Sequence, residues 1–139
     1  NKDLPKQLVF SQLETFLLTL LYSENKVLPT IKNEASELYG KIVEILEENV
    51  YGWITISEIA EKCKRSESTV KNCFKNYTGC GIHKYLLKIK MRTAIKLLHE
   101  GMSVGQVSET LGFTDANYFS AVFKKETGFT PLLYRKKQL

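Results

Sequence analysis

The sequence reads as all-α: two helix-turn-helix units joined by a long helix. Three observations say so. First, the stretch from Ile56-Ser57-Glu58-Ile59-Ala60-Glu61-Lys62-Cys63 to Phe74-Lys75-Asn76-Tyr77-Thr78-Gly79 recurs about 48 residues later. The second copy runs from Val104-Gly105-Gln106-Val107-Ser108-Glu109-Thr110-Leu111 to Phe123-Lys124-Lys125-Glu126-Thr127-Gly128. A repeat of this period is one supersecondary unit used twice. Second, each copy opens on the same helix-start signal in register, Thr55 with Glu58 and Ser103 with Gln106, in which the first residue caps the helix and the residue three places on reaches back. Third, the copies are separated by one uninterrupted helical pattern, about 82–100, of about 18–20 residues at about 1.5 Å each.

The elements follow in chain order. Residues 6–23 form an amphipathic pattern in which Leu13, Phe16, Leu17, Leu20 and Leu21 recur at helical spacing, with Val9 one turn earlier. Ser23 to Asn33, with Pro29, reads as a linker. A helix is expected over about 34–49, with Leu38, Ile42, Ile45 and Leu46 on one face and Tyr51-Gly52-Trp53 ending it. The first unit, about 55–79, buries Ile56, Ile59 and Cys63 on its first helix. The second unit, about 103–128, buries Val104, Val107 and Leu111 there. The second helices are expected to begin after the N-caps Ser66 and Thr114. From there the offset between copies grows by one residue, so the second turn is one residue longer. Gly101 ends the long helix. Thr130-Pro131, a cap followed by proline at the first helical position, opens a short last helix that ends in Arg135-Lys136-Lys137.

Charge is divided along the chain. Residues 1–50 hold 5 Lys against 8 acids, whereas residues 51–139 hold 15 Lys and Arg against 7 acids. A basic half that also carries the repeat points to a polyanionic partner, and a solvated lysine-rich surface is the alternative. The long helix carries Lys84, Lys88, Arg92 and Lys96 every four residues, a basic stripe that is mostly solvated. Its length, about 27–30 Å, approaches the B-DNA pitch of about 34 Å. A rod of that length can set two helices into successive major-groove segments on one side of a duplex.

The second helix of each unit has an apolar stripe, Val70, Cys73, Phe74 and Tyr77 in the first and Phe119, Val122 and Phe123 in the second. The opposite stripes are Ser68, Lys71, Asn72 and Lys75, and Asn117, Ser120, Ala121 and Lys124. Polar residues at i, i+3, i+4 and i+7 present one edge and suit hydrogen bonding to base edges. Taken singly, either stripe also reads as a plain solvated face.

Here the residues resemble a known family. Leu111-Gly112-Phe113-Thr114-Asp115, Tyr118-Phe119-Ser120, Phe123-Lys124-Lys125, Gly128, Thr130-Pro131 and Tyr134-Arg135 look like the C-terminal signature of AraC/XylS-type transcription regulators. Ile59-Ala60, Phe74-Lys75, Gly79, Tyr85-Leu86, Ala94 and Leu97-Leu98 fit the same pattern, so the resemblance covers about residues 36–137. It implies a seven-helix, all-α domain with two homeodomain-like subdomains and a linker helix, within 34–139. It implies a bacterial, cytoplasmic, sequence-specific regulator, an activator, bound to a double-stranded operator and working with RNA polymerase. By that resemblance base readout falls on Ser68, Thr69, Lys71 and Asn72 in the first unit, and on Ala116, Asn117, Tyr118, Ser120 and Ala121 in the second. Phosphate contacts are assigned to Thr55, Ser66, Lys75, Ser103, Thr114 and Lys124. The family often has Arg where Ala121 stands. Since alanine makes no polar contact, the second unit is expected to rely on shape, backbone contact or a thymine methyl. The family also usually has Gly where Lys64 stands, so the first turn is expected to differ locally. Residues 1–33 lie outside the signature. They resemble the last helix of the sensor or dimerisation regions that precede this module, and homodimerisation through them is one expectation, packing on their own domain the other. The chain starts at Asn1 without Met and is expected to be a fragment or processed product.

Other functions find less support. No nucleophile pairs with a base and no glycine-rich phosphate loop is present, so a non-enzyme without cofactor is expected. His83 and His99 are isolated. Cys63, Cys73 and Cys80 are odd in number and irregular in spacing, which fits a reducing compartment, and Cys80-Gly81-Ile82-His83 lacks a second pair for zinc. The longest apolar run, Phe16 to Tyr22, is too short to cross a bilayer. An interaction module for an acidic protein or RNA is the second reading. A small-molecule sensor within this chain is the third, and the chain outside the repeat is short for enclosing a ligand.

Overall fold

The computed structural model describes residues 33–137, and the expectations for the N-terminal helix of residues 6–23 lie outside them. Among the described residues there are seven helices and no strand: α1 (Glu34–Glu48), α2 (Ile56–Cys63), α3 (Glu67–Thr78), α4 (Ile82–His99), α5 (Val104–Thr110), α6 (Ala116–Thr127) and α7 (Pro131–Lys137). Helix α1 buries Leu38, Ile42, Ile45 and Leu46, the face its periodicity marked out. Helices α2–α3 and α5–α6 are the two helix-turn-helix units, and α4 is the rod between them.

Two clusters of buried side chains form the core. The first joins α1, α2 and α3 to the start of α4 through Ile42, Leu46, Ile59, Val70, Phe74 and Leu86. The second joins the end of α4 to α5 and α6 through Met91, Ala94, Leu98, Val107, Leu111, Phe119 and Phe123. Helix α4 therefore feeds both, and Ile89 packs against each. Val50, from the connection after α1, belongs to the second cluster, so the connection leading to the first unit reaches into the core of the second.

The repeat is written in the helix ends. Both capping boxes form. The Glu58 N–H donates to Thr55 Oγ1 at 3.2 Å while Thr55 N–H donates to Glu58 Oε2 at 2.7 Å. In the second unit Gln106 N–H donates to Ser103 Oγ at 3.2 Å and Ser103 N–H to Gln106 Oε1 at 3.0 Å. The second helices end alike as well. The Thr78 hydroxyl lies 2.8 Å from the Phe74 carbonyl and accepts from Cys80 N–H at 3.2 Å, and Thr127 repeats this with Phe123 (2.7 Å) and Phe129 (3.3 Å). Gly79 and Gly128 follow at φ +73° and +85°, values that cost a side-chain-bearing residue energy.

Two expectations about the turns need correction. The cap of α6 is Asp115, not Thr114: its carboxylate accepts from Asn117 N–H at 2.8 Å, whereas α3 is capped by Ser66, which accepts from Thr69 N–H. The extra residue of the second turn moves the helix start one place on, and the cap moves with it. The first turn, moreover, is not distorted by having lysine for glycine. Lys64 adopts φ 53° and ψ 42° and ends α2 with bonds from Lys64 N–H to Glu61 O and from Arg65 N–H to Ala60 O, both 3.1 Å. Gly112 (φ +79°) ends α5 with the matching pair, Gly112 N–H to Glu109 O and Phe113 N–H to Ser108 O, both 3.0 Å. Two hydrogen bonds fix the left-handed residue in either case, and lysine carries the strain.

Helix α4 stops at Gly101, φ +94°, where Met102 N–H donates to Leu97 O and Gly101 N–H to Leu98 O. Helix α7 then folds back on that end. Thr130 caps it through Leu133 N–H, Arg135 donates to the Gly101 carbonyl at 3.2 Å, and the Tyr134 ring meets Phe123 and His99 edge-on.

Candidate nucleic-acid interface

Helices α3 and α6 have the same length and the same division of faces. Val70 and Phe74 on α3, and Phe119 and Phe123 on α6, are fully buried and fix each helix against its own core. That leaves the opposite edge outward. Ser68, Thr69, Lys71, Asn72 and Lys75 are all exposed, as are Ala116, Asn117, Tyr118, Ala121 and Lys124. Ser120 differs in being half-buried. Thr69 is partly committed, since its hydroxyl shares a 2.8 Å hydrogen bond with Ser66. Tyr118, 48% exposed, leans on Phe113 with ring centroids 5.7 Å apart and is thereby held at the start of α6.

The residues assigned to phosphate fall at helix starts and on the outer faces. Thr55, Ser66 and Ser103 accept N–H bonds within their caps. Thr114 is exposed, and its hydroxyl is released from the cap by Asp115. The two starts differ in charge: a neutral serine caps α3 and a carboxylate caps α6. Of the basic stripe on α4, Lys84, Arg92 and Lys96 are exposed and Lys88 is half-buried. Burial pushes the Cys63 and Cys73 thiols up, which keeps them protonated and unreactive at neutral pH. Among the described residues no helix is long and apolar enough to cross a membrane, and no group of His, Cys, Asp or Glu is arranged to hold a metal.

The sequence pattern did not single out Lys90. It lies midway along α4, is fully buried, and donates to three carbonyls: Val50 at 2.6 Å, Gly52 at 2.5 Å and Leu111 at 2.8 Å. Its ammonium also sits 4.4 Å from the centre of the Trp53 ring, a cation–π distance. Burial pushes Lys90 down to about 8, which still leaves the charged form dominant at pH 7. Three carbonyl acceptors oppose any further fall, because the neutral amine has one donor fewer. Trp53 reinforces the joint by donating from Nε1 to the Gly112 carbonyl at 2.6 Å. A Cβ at Gly112 would lie 3.2 Å from the Tyr51 carbonyl and 3.4 Å from Trp53 Nε1. A signal for Lys90 was present: it interrupts the row Ile82, Leu86, Ala94 and Leu98, one residue every four, on the apolar side of α4.

Comparison with known proteins bears on this paired geometry. A family model described as a helix-turn-helix domain matches residues 59–137. A solved structure from Chromobacterium violaceum, described as an AraC-type DNA-binding-domain protein, superposes with a TM-score of 0.69 at 25% identity, covering 76% of this chain and 96% of that one. This chain belongs to the AraC-type helix-turn-helix family. The description of that Chromobacterium violaceum neighbour names the protein a transcriptional regulator and the domain DNA-binding. The HTH-type transcriptional activator RhaR of Escherichia coli strain K12 is 30% identical over 130 residues, 93% of this chain and 45% of RhaR. The chain thus spans less than half the length of that relative. The DNA-binding domain of AdpA, solved in complex with a target DNA, has the same fold, with a TM-score of 0.67 at 22% identity over 71% of this chain and 90% of that one.

Proposed function

We propose that this AraC-type domain binds double-stranded DNA in a sequence-specific manner by setting α3 and α6 into successive major-groove segments. The observation that carries this is the pair of exposed polar edges on two equivalent helices, each backed by its own core and both mounted on α4, about 27 Å long. Lys71 and Asn72, with Ser68 and Thr69, read bases on α3. Asn117, Tyr118 and Ser120 do so on α6, where Ala116 and Ala121 supply apolar contact. Lys75 and Lys124, together with Thr55, Ser66, Ser103 and Thr114 at the helix starts, hold phosphates. The protein acts as an activator that engages RNA polymerase, in keeping with the name of the RhaR relative, and not as an enzyme. It pairs with a second copy through the helix expected over residues 6–23, and it works in the cytoplasm.

Selection of binding sites from random duplexes, followed by fluorescence anisotropy at about 0.15 M salt, tests the proposal. A defined consensus bound at least about a thousandfold tighter than random duplex is expected. Equal affinity for every duplex, or none, overturns it, and preference for single-stranded RNA or an acidic protein would favour the second reading of the sequence. Within that assay Asn72→Ala and Lys75→Ala should behave differently. Loss of Asn72 is expected to relax preference at one position by about 1–3 kcal/mol. Loss of Lys75 should weaken all sequences alike and lower the salt slope by about one unit. An unchanged consensus for the Asn72 variant would remove that residue from base readout.

A further inference from the structure

We infer that Lys90, with Trp53, is a positioning residue for DNA recognition, locking the two helix-turn-helix units at one mutual orientation and so making the spacing within the bound sequence strict. The inference rests on the preceding proposal that α3 and α6 enter one duplex.

The three acceptors of Lys90 belong to two segments. Val50 and Gly52 lie in the connection that leads into α2, and Leu111 ends α5 immediately before the turn to α6. Lys90 itself projects from the rod that both cores share. One ammonium therefore ties the approach to the first unit, the rod and the turn of the second. The Trp53 indole bonds the same turn one residue further on, at Gly112. A Cβ at Gly112 would press within 3.2 Å of the backbone oxygen of Tyr51, so the missing side chain eases the close approach of the two backbones.

Stability alone does not account for such a residue. A buried charge is costly to desolvate, and an apolar side chain of similar volume in its place is often neutral or stabilising. Buried polar groups do set a unique arrangement, because each alternative packing leaves a charge or carbonyl unsatisfied. Here all three ammonium protons have acceptors, and among the described residues no buried side-chain nitrogen or oxygen lacks a partner. Rotating one unit about α4 would break that set at once. For DNA the consequence is geometric. Inserting one base pair moves the second groove segment by about 3.4 Å and turns it by about 35°, a change that a locked pair of helices cannot follow.

The test uses the full 139-residue chain, first without DNA. Residual dipolar couplings of the wild type should fit one alignment tensor across α2–α3 and α5–α6. Lys90→Met, which keeps the stem but removes the donors, should need two. Lys90→Arg, which retains charge and donors, should return toward one. In the anisotropy assay a one-base-pair insertion in the middle of the selected duplex should cost the wild type about tenfold or more and the Met variant markedly less. A folded Met variant that keeps the single wild-type tensor overturns the inference, as does a wild type that needs two. Should the Met variant fail to fold, Trp53→Phe deletes the bond to Gly112 and weakens the ring contact with the Lys90 ammonium, and an unchanged tensor with an unchanged insertion penalty overturns it equally. If instead the wild type selects no sequence, the DNA proposal falls while the tensor comparison still decides the joint.

Discussion

Lys64 is the residue at which the two units disagree without differing in shape. Its φ of 53° is a left-handed value that costs an L-residue about 1–2 kcal/mol, whereas glycine there loses about 0.5–1 kcal/mol in chain entropy. Lys64→Gly should therefore stabilise the fold by about 0.5–1 kcal/mol, read as a higher denaturant midpoint at unchanged slope. A lower midpoint would mean that the lysine side chain contributes more than the backbone loses. The strain was legible through the family resemblance, which has glycine where Lys64 stands, and the matching residue of the second unit is Gly112. Lys90 was not. Its neighbours Lys88 and Arg92 belong to a basic stripe, and charge is normally read as surface. What distinguishes it is register, since it shares a row with Leu86 and Ala94.

The elements were largely legible because helix starts and stops are local chemistry. Both capping boxes, the glycine stops and the proline at the start of α7 stand where their residues place them. The exception, Asp115, arises because Thr114 and Asp115 are adjacent and both suit a cap; only the length of the turn decides between them. The two boxes also differ in a measurable way. Glu58 has its carboxyl held below the ordinary value of 4.5, chiefly by the Thr55 backbone N–H and then by the Thr55 hydroxyl. A lowered folded value means that stability is present above about 4.5 and lost as pH falls through the folded value. Gln106, its counterpart, does not titrate. Acidification should thus expose the amides of α2 to hydrogen exchange before those of α5, and Glu58→Gln should flatten that response. Parallel loss in both helices, unaffected by the substitution, would show that the acid response originates elsewhere.

At the scale of the whole molecule, α4 makes two cores behave as one. Ile82 and Leu86 belong to the first and Met91, Ala94 and Leu98 to the second, so neither unit can unfold without baring part of the rod. Phe74→Leu and Phe123→Leu, at matching places in the two units, should each cost about 1–3 kcal/mol. Each should also shift one cooperative transition, with near-UV and far-UV dichroism coincident. Separate transitions for the two halves would contradict the shared rod. The outer edges of the two helices are less alike than the scaffold: Lys71 and Asn72 on α3 correspond to Ser120 and Ala121 on α6. That contrast was visible in the sequence because exposed residues are not constrained by packing. The joint between the units was not, because it depends on carbonyls, and every residue carries one.

Trp53, the chain's single tryptophan, stands at that joint, with its indole against the Lys90 ammonium, its nitrogen on the Gly112 carbonyl and the His83 ring stacked 5.7 Å away. The molecule consequently carries an intrinsic optical gauge at the place where its halves meet. Colour and intensity of the indole emission register whether the seam is shut, with no dye attached and no background from a second fluorophore of its kind.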